Sequence, residues 1–207
     1  MSDTEIVVGS RTKKEPPAKD ILQTYTGKVL RPLDPWPGDF CIEDIAWSLA
    51  HQCRYNGHTK LFYSVATHCM LVAFFLPPSL KLEGLLHDAS EAYLTDLPSP
   101  LKQQMPEYRK IEARVEDAIE TQYRLIKSPQ VKEADDYVFQ LEAALVMGGA
   151  IGQKFALGVS PDRLFVEREI IDAANRTPAS EAQRYLLAFN ALQATRVEDT
   201  APMDVRV

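Results

Sequence analysis

The chain has 207 residues, 45% of them hydrophobic and 25% charged, enough apolar side chain to bury a core and too little charge for a wholly disordered polypeptide. Against 23 lysines and arginines stand 29 aspartates and glutamates, a net charge of −6, which excludes attachment to duplex DNA or anionic lipid through a general positive field. Cys41, Cys53 and Cys69 form no Cys-x-x-Cys pair and suit reduced thiols better than a disulfide framework.

Residues 1–20 carry no helical or strand periodicity and contain Pro16-Pro17, which predicts a flexible arm. The arm is polar and mixed in charge, unlike a secretory leader, and the longest strongly apolar run, Cys69 to Leu76, ends at Pro77-Pro78, short of the ~20 residues a spanning helix needs. The expectation is a cytoplasmic protein with no membrane or nucleic-acid partner. Residues 21–40 are broken by Pro32, Pro35 and Pro37 and support one short strand or an ordered loop. From Ile42 the pattern becomes helical, through Ile45, Ala46 and Leu49, and again through Val65, Met70, Leu71 and Phe74. Pro77-Pro78 ends that helix, and Ser79 is placed to cap the next, which runs through Leu82, Leu85 and Leu86. Asp96 to Pro100 reads as a loop, because two prolines remove backbone donors. Long helices are predicted over about 107–126, 129–147 and 181–194, with Gly148, Gly149 and Gly152 weakening the helix around them. The tail over 197–207 is charged and expected to fray, leaving one all-α domain over 21–196, a bundle of five to seven helices.

One of the four histidines is followed directly by aspartate, His87-Asp88. Neighbours on a helix project about 100° apart, so the two can grip one ion only if it sits at the helix end. Glu91 follows Asp88 by three residues and His87 by four, on the same side of a helix as both, and Asp96 and Lys102 lie on or beyond a proline-stiffened turn. Upstream, Arg54-Tyr55-Asn56-Gly57-His58 is a compact polar loop. The Arg54 guanidinium can grip phosphate bidentately and His58 can donate to phosphate or base, or the two can be no more than a surface Arg and His of a capping loop. His51 reads as structural, and Trp36 and Trp47 as core or as stacking surfaces for a base.

The run His87-Asp88-Ala89-Ser90-Glu91-Ala92-Tyr93-Leu94-Thr95-Asp96-Leu97-Pro98-Ser99-Pro100-Leu101-Lys102 resembles the signature of the HD superfamily of metal-dependent phosphohydrolases. It is similar to small bacterial 5′-deoxynucleotidases and to viral deoxynucleoside triphosphate hydrolases. Members carry an earlier His and a later Asp. His68 and Asp135 match those positions, with Asp136 the alternative to Asp135. The resemblance covers residues about 40–150. It implies an HD-domain helical bundle in which His68, His87, Asp88 and Asp135 hold a divalent ion, Glu91 orients or deprotonates the attacking water, and Asp96 assists proton transfer near the leaving oxygen. It further implies a phosphate contact from Lys102, an arginine near Arg54 (followed by tryptophan in the relatives, by Tyr55 here) and self-association into a homo-oligomer.

Two neutral imidazoles with two carboxylates suit Mn²⁺, Co²⁺, Fe²⁺, Ni²⁺, Zn²⁺ or Mg²⁺ rather than a dedicated Ca²⁺ site, and the absence of a cysteine ligand speaks against a structural zinc knuckle. Such an ion lowers the pKa of a bound water from about 15.7 to about 7, roughly 12 kcal/mol toward hydroxide. The expected activity is hydrolysis of a deoxynucleotide, leaning to the triphosphate of the dATP type because Arg54, His58 and Lys102 offer several donors. The alternatives are a 5′-deoxynucleotidase acting on monophosphates and a catalytically silent nucleotide-binding module.

Overall fold

Helices account for nearly all the regular secondary structure in the computed structural model, which describes residues 20–155 and 158–200. The expected arm, apart from Asp20, and the last seven residues of the expected tail lie outside the described residues. In chain order the described helices are α1 (Ile42–His51), α2 (Val65–Phe75), α3 (Lys81–Leu86), α4 (Glu91–Leu94), α5 (Ser99–Lys102), α6 (Pro106–Tyr123), α7 (Pro129–Val146), α8 (Gly149–Lys154), α9 (Pro161–Ala174) and α10 (Pro178–Thr200). Six of them (α1, α2, α6, α7, α9 and α10) have ten or more residues, in agreement with the expected all-α bundle.

Segment 21–40 forms slightly more than the one strand expected: β1 (Leu22–Gln23) and β2 (Val29–Leu30) pair antiparallel, with Leu22 opposite Leu30. This minimal hairpin docks through its turn. Thr26 donates its N–H and hydroxyl to the buried Asp44 carboxylate at 2.7 and 3.0 Å, and Tyr25 stacks on Trp47 with ring centroids 4.1 Å apart. Ser79 does not cap a helix; it lies inside a short 3-10 turn, Pro78–Leu80, that leads into α3. The loop at 96–100 ends earlier than expected, because Pro100 occupies the first turn of α5, where its missing N–H leaves no bond unmade. The fifth helix of the long set, α9, goes beyond the predicted elements. Its start is written in Ser160-Pro161, with the Ser160 hydroxyl accepting from the Arg163 N–H, and Val166 and Ile170 bury its inner face.

The centre of the bundle is α2, whose residues Val65 to Cys69 and Leu71 to Ala73 are all buried. It touches α1, α3, α7, α9 and α10, and it divides the apolar interior: Val65, Ala66 and Cys69 pack with α1, α3 and α10, while Leu71, Val72 and Leu76 pack with α7 and α9. A histidine on this helix is therefore removed from water whichever way it points, and His68 is 0% exposed. The short α3 lies very close to α2. A Cβ on Gly84 would stand 3.1 Å from the Ala73 Cα and 2.4 Å from a Leu76 methyl, so a larger residue would displace the Leu76 side chain and press on the α2 backbone. Gly84→Ala is expected to destabilise the fold by about 1–3 kcal/mol, as overpacking does, read as a lowered midpoint in chemical denaturation. Among the described residues no helix is long and apolar enough to cross a membrane.

Candidate metal centre

Three elements bring the ionisable residues together. His68 comes from the middle of α2, His87 and Asp88 from the turn that ends α3, and Asp135 from the second turn of α7. The Tyr185 hydroxyl on α10 donates to the Leu85 carbonyl, and the His87 Nδ1–H donates to the Gly84 carbonyl at 2.8 Å, so the end of α3 is tied down and the ring presents Nε2. His68 Nε2 stands 3.1 Å from Asp135 Oδ1 and 3.7 Å from Asp88 Oδ2. His87 Nε2 stands 3.1 Å from Asp88 Oδ2 and 4.0 Å from Asp135 Oδ1.

All four expected ligand residues thus converge, and the helix-end position of His87 and Asp88 lets both face one point. Both Nε2 atoms are buried and find no hydrogen-bond partner, although carboxylate oxygens lie close by. Unmade bonds on buried nitrogens are costly, and a ring nitrogen that stands near carboxylates without hydrogen-bonding to them has the arrangement of ligands around a shared cation. Ligand atoms of His68, His87 and Asp135 lie within 4.8 Å of one another, and Asp88 Oδ2 joins them from the side of His87; imidazole nitrogen with carboxylate oxygen is a donor set that could hold a metal ion. Asp136 is excluded from the set: its side chain is 59% exposed and pairs with Lys132, which also holds the outer oxygen of Asp135 at 2.9 Å.

Cysteine is nearer than the sequence reading allowed. Ligand atoms of Cys69, His87 and Asp88 lie within 4.8 Å of one another, so a thiol borders the centre; burial pushes that thiol up to about 11 against the pull of His87.

Electrostatics follow from geometry. For Asp88 burial favours the neutral form, but His87, His68 and Arg54 outweigh it and hold the carboxyl below its ordinary range. Asp135 likewise is held low, burial being overcome by His68, His87 and Lys132. Glu91 goes the other way. Burial, then Asp88 and Asp96, push its carboxyl up, and its Oε2 is buried without a partner. Asp96 is also raised, by burial foremost and by Asp88, against Arg54 and Lys102.

Gln52, at the end of α1, holds these two acids in place. Its amide donates to the Glu91 carbonyl at 2.9 Å and accepts from the Asp96 N–H at 3.3 Å. Between them Thr95 has φ 69° and ψ 152°, a conformation nearly reserved for glycine that costs on the order of 1–3 kcal/mol and is characteristic of functional turns. The Tyr108 hydroxyl braces this turn from α6, against the Leu94 and Thr95 carbonyls.

Arg54 enters the centre rather than the surface. Its side chain is 12% exposed, with Nη1 3.6 Å from Asp88 Oδ2. The loop that carries it is closed by the Cys53–Ser64 bridge and by the Arg54 N–H bond to the Tyr63 carbonyl at 2.8 Å, and Tyr55, Asn56 and Gly57 in succession adopt positive φ. His58, by contrast, is exposed, and no described contact ties its side chain to the cluster. Lys102 is engaged in an ion pair with Glu112 on α6. The exposed His51 donates its Nδ1–H to the Trp47 carbonyl at 2.7 Å. Trp47 faces Tyr25 and His51, and Trp36 is 39% exposed.

The residue that sequence reasoning missed is Glu142. It is 0% exposed and takes five donors: Arg54 Nε at 3.0 Å, Arg54 Nη2 at 2.9 Å and the Tyr55 hydroxyl at 2.7 Å on Oε1, and the Tyr63 hydroxyl and His68 Nδ1, the latter at 2.9 Å, on Oε2. Burial opposes its ionisation, but Arg54, His68 and Tyr63 hold the carboxyl down at about 2. The signal lay in spacing. Glu142 is seven residues after Asp135, two helical turns along the same face, in a stripe otherwise made of Val138, Leu141 and Val146.

A cleft of about 270 Å³ opens onto His87 and Asp135. Leu86, Ile119, Leu125 and Val131 form its apolar wall, and Glu83, Glu116, Glu120, Lys127 and Lys132 its charged parts.

No protein-family model matches the chain. It is similar to the uncharacterized protein YfdR of Escherichia coli (strain K12), 40% identical over 116 residues that make up 55% of this chain and 65% of that protein. It is also similar to an uncharacterized protein of Rhodobacter capsulatus, 33% identical over 157 residues, 68% of this chain and 80% of that one. At that identity and coverage the chain belongs to the same family as the Rhodobacter capsulatus protein.

Proposed function

We propose that the protein is a metal-dependent phosphohydrolase of deoxynucleotides. The observation that carries this reading is the pair of buried, unpartnered Nε2 atoms of His68 and His87 facing Asp88 and Asp135, with an acid of raised pKa, Glu91, beside them. The resemblance to the HD superfamily supplies the substrate class. When bound, a divalent cation neutralises charge on a phosphate oxygen and acidifies water.

The chain supplies the rest. Glu91, destabilised as a carboxylate, takes a proton from the attacking water. Asp96, also raised, returns one to the leaving oxygen. Arg54 Nη1, the guanidinium nitrogen turned away from Glu142 and toward Asp88, is the group that meets a phosphate oxygen. The apolar wall of the cleft, next to His87 and Asp135, receives the nucleoside.

Charge in the cleft favours a monophosphate over the triphosphate to which the sequence leaned. Lys127 is paired with Asp117 and Glu120 and Lys132 with Asp135 and Asp136, so the lysines of the cleft are committed while Glu116 adds a carboxyl, and outside the cleft Lys102 is paired with Glu112. A single phosphate needs only the ion and Arg54; a tail of three would meet carboxylates. The test is turnover of each deoxynucleoside mono- and triphosphate with Mn²⁺ or Co²⁺, separating phosphate from triphosphate as product. Orthophosphate from monophosphates is the expected result. Triphosphate release would reverse the charge argument, and no turnover of either would overturn the reading.

A further inference from the structure

We propose that Glu142 is a positioning residue that fixes the tautomer of His68 and, through it, the affinity of the centre for its ion; the second half rests on the metal-centre reading above. An ionised carboxylate can only accept. Glu142 faces donors on every side and its Oε2 lies 2.9 Å from His68 Nδ1, so Nδ1 carries the proton and Nε2, the atom facing Asp88 and Asp135, keeps its lone pair. A carboxylate behind a ligating imidazole orients the ring and raises its basicity. Here the same carboxylate also grips Arg54 through Nε and Nη2, so one buried group holds both the ring that would bind the ion and the guanidinium that faces Asp88. Tyr55 and Tyr63 complete its shell.

Glu142→Gln makes the case testable because an amide cannot accept on both sides. The Oε1 side meets Arg54, which is always charged and has no acceptor, so the amide oxygen goes there and the NH₂ turns toward Tyr63 and His68. The Tyr63 hydroxyl can rotate to accept. His68 Nδ1 can accept only by moving its proton to Nε2, the position that would bind the ion.

The measurement is the ¹⁵N tautomer signature of His68 in the ion-free full-length protein at mildly alkaline pH, alongside a Mn²⁺ titration. Wild type is expected to carry the proton on Nδ1. Glu142→Gln is expected to carry it on Nε2 and to bind Mn²⁺ about 10–100-fold more weakly, the usual loss when such a partner is removed. A wild-type proton on Nε2 overturns the proposal without recourse to any variant, which covers a Gln variant that does not fold. So does an unmoved proton in the variant, or a moved one with unchanged Mn²⁺ affinity. A wild type with the Nδ1 proton that binds no Mn²⁺ overturns the metal-centre reading, and the tautomer comparison then still decides the role of Glu142 at His68.

Discussion

Asp88→Ala is expected to empty the centre of its divalent ion and to abolish turnover, with the fold retained. Asp88 lies between the two imidazoles, 3.1 Å from His87 Nε2 and 3.7 Å from His68 Nε2. It is the nearer carboxylate to His87, and its loss leaves two neutral rings and Asp135 to balance a double positive charge. Removing a group that only orients a ligand costs about 10–100-fold in affinity; removing a ligand itself is expected to exceed 100-fold. Asp88 is partly exposed, so the truncation opens no deep cavity and its effect on stability is small compared with that on binding. Elemental analysis of the dialysed protein, with circular dichroism as the check on folding, reads the result. Full ion content in the variant would remove Asp88 from the ligand set.

Glu91→Gln is expected to keep the ion and lose the chemistry, with kcat reduced by about 10²-fold or more, the usual worth of a positioned acid–base group. The substitution is nearly isosteric, and the bonds that seat this turn run through the backbone: Glu91 N–H to the Asp88 carbonyl at 3.0 Å, and Gln52 to the Glu91 carbonyl at 2.9 Å. What changes is the side chain. Its Oε2 is buried without a partner, and burial together with Asp88 and Asp96 makes ionisation unfavourable. A structural acid in that position would be expected to hydrogen-bond; an unpaired carboxyl of raised pKa is a strong base whenever it is ionised and can pass a proton to and from a water beside it. An unchanged kcat with the ion bound would refute the role.

Much of this arrangement was legible in the chain because the signals were local. The start of α1 at Ile42 and the stop of α2 before Pro77-Pro78 follow from apolar spacing and proline, and α7 lies within a residue of the predicted 129–147. The His87-Asp88-to-Lys102 run marked the turn, with His68 and Asp135 placed by resemblance. The shortfalls came where a partner distant in sequence decides. Lys102 looks free until Glu112 on α6 is seen beside it. His58 shares a loop with Arg54, but three successive positive-φ residues lie between, and a loop of that shape does not carry both side chains to one place. Glu142 is 88 residues from Arg54 and 74 from His68; its place in the apolar stripe of α7 marks it as buried, but which donors converge on it is decided by those distant segments. The β1–β2 hairpin was underestimated because its two strands are only two residues long, too short for alternation to register.

The central claim is that side chains from α2, the α3 turn and α7 share one divalent ion. Calorimetric titration of Mn²⁺ into ion-free wild-type protein, repeated with Asp135→Ala, tests it most directly. The account predicts one ion per chain in the wild type and loss of that binding in the variant. No binding to the wild type, or equal binding to both, would contradict it.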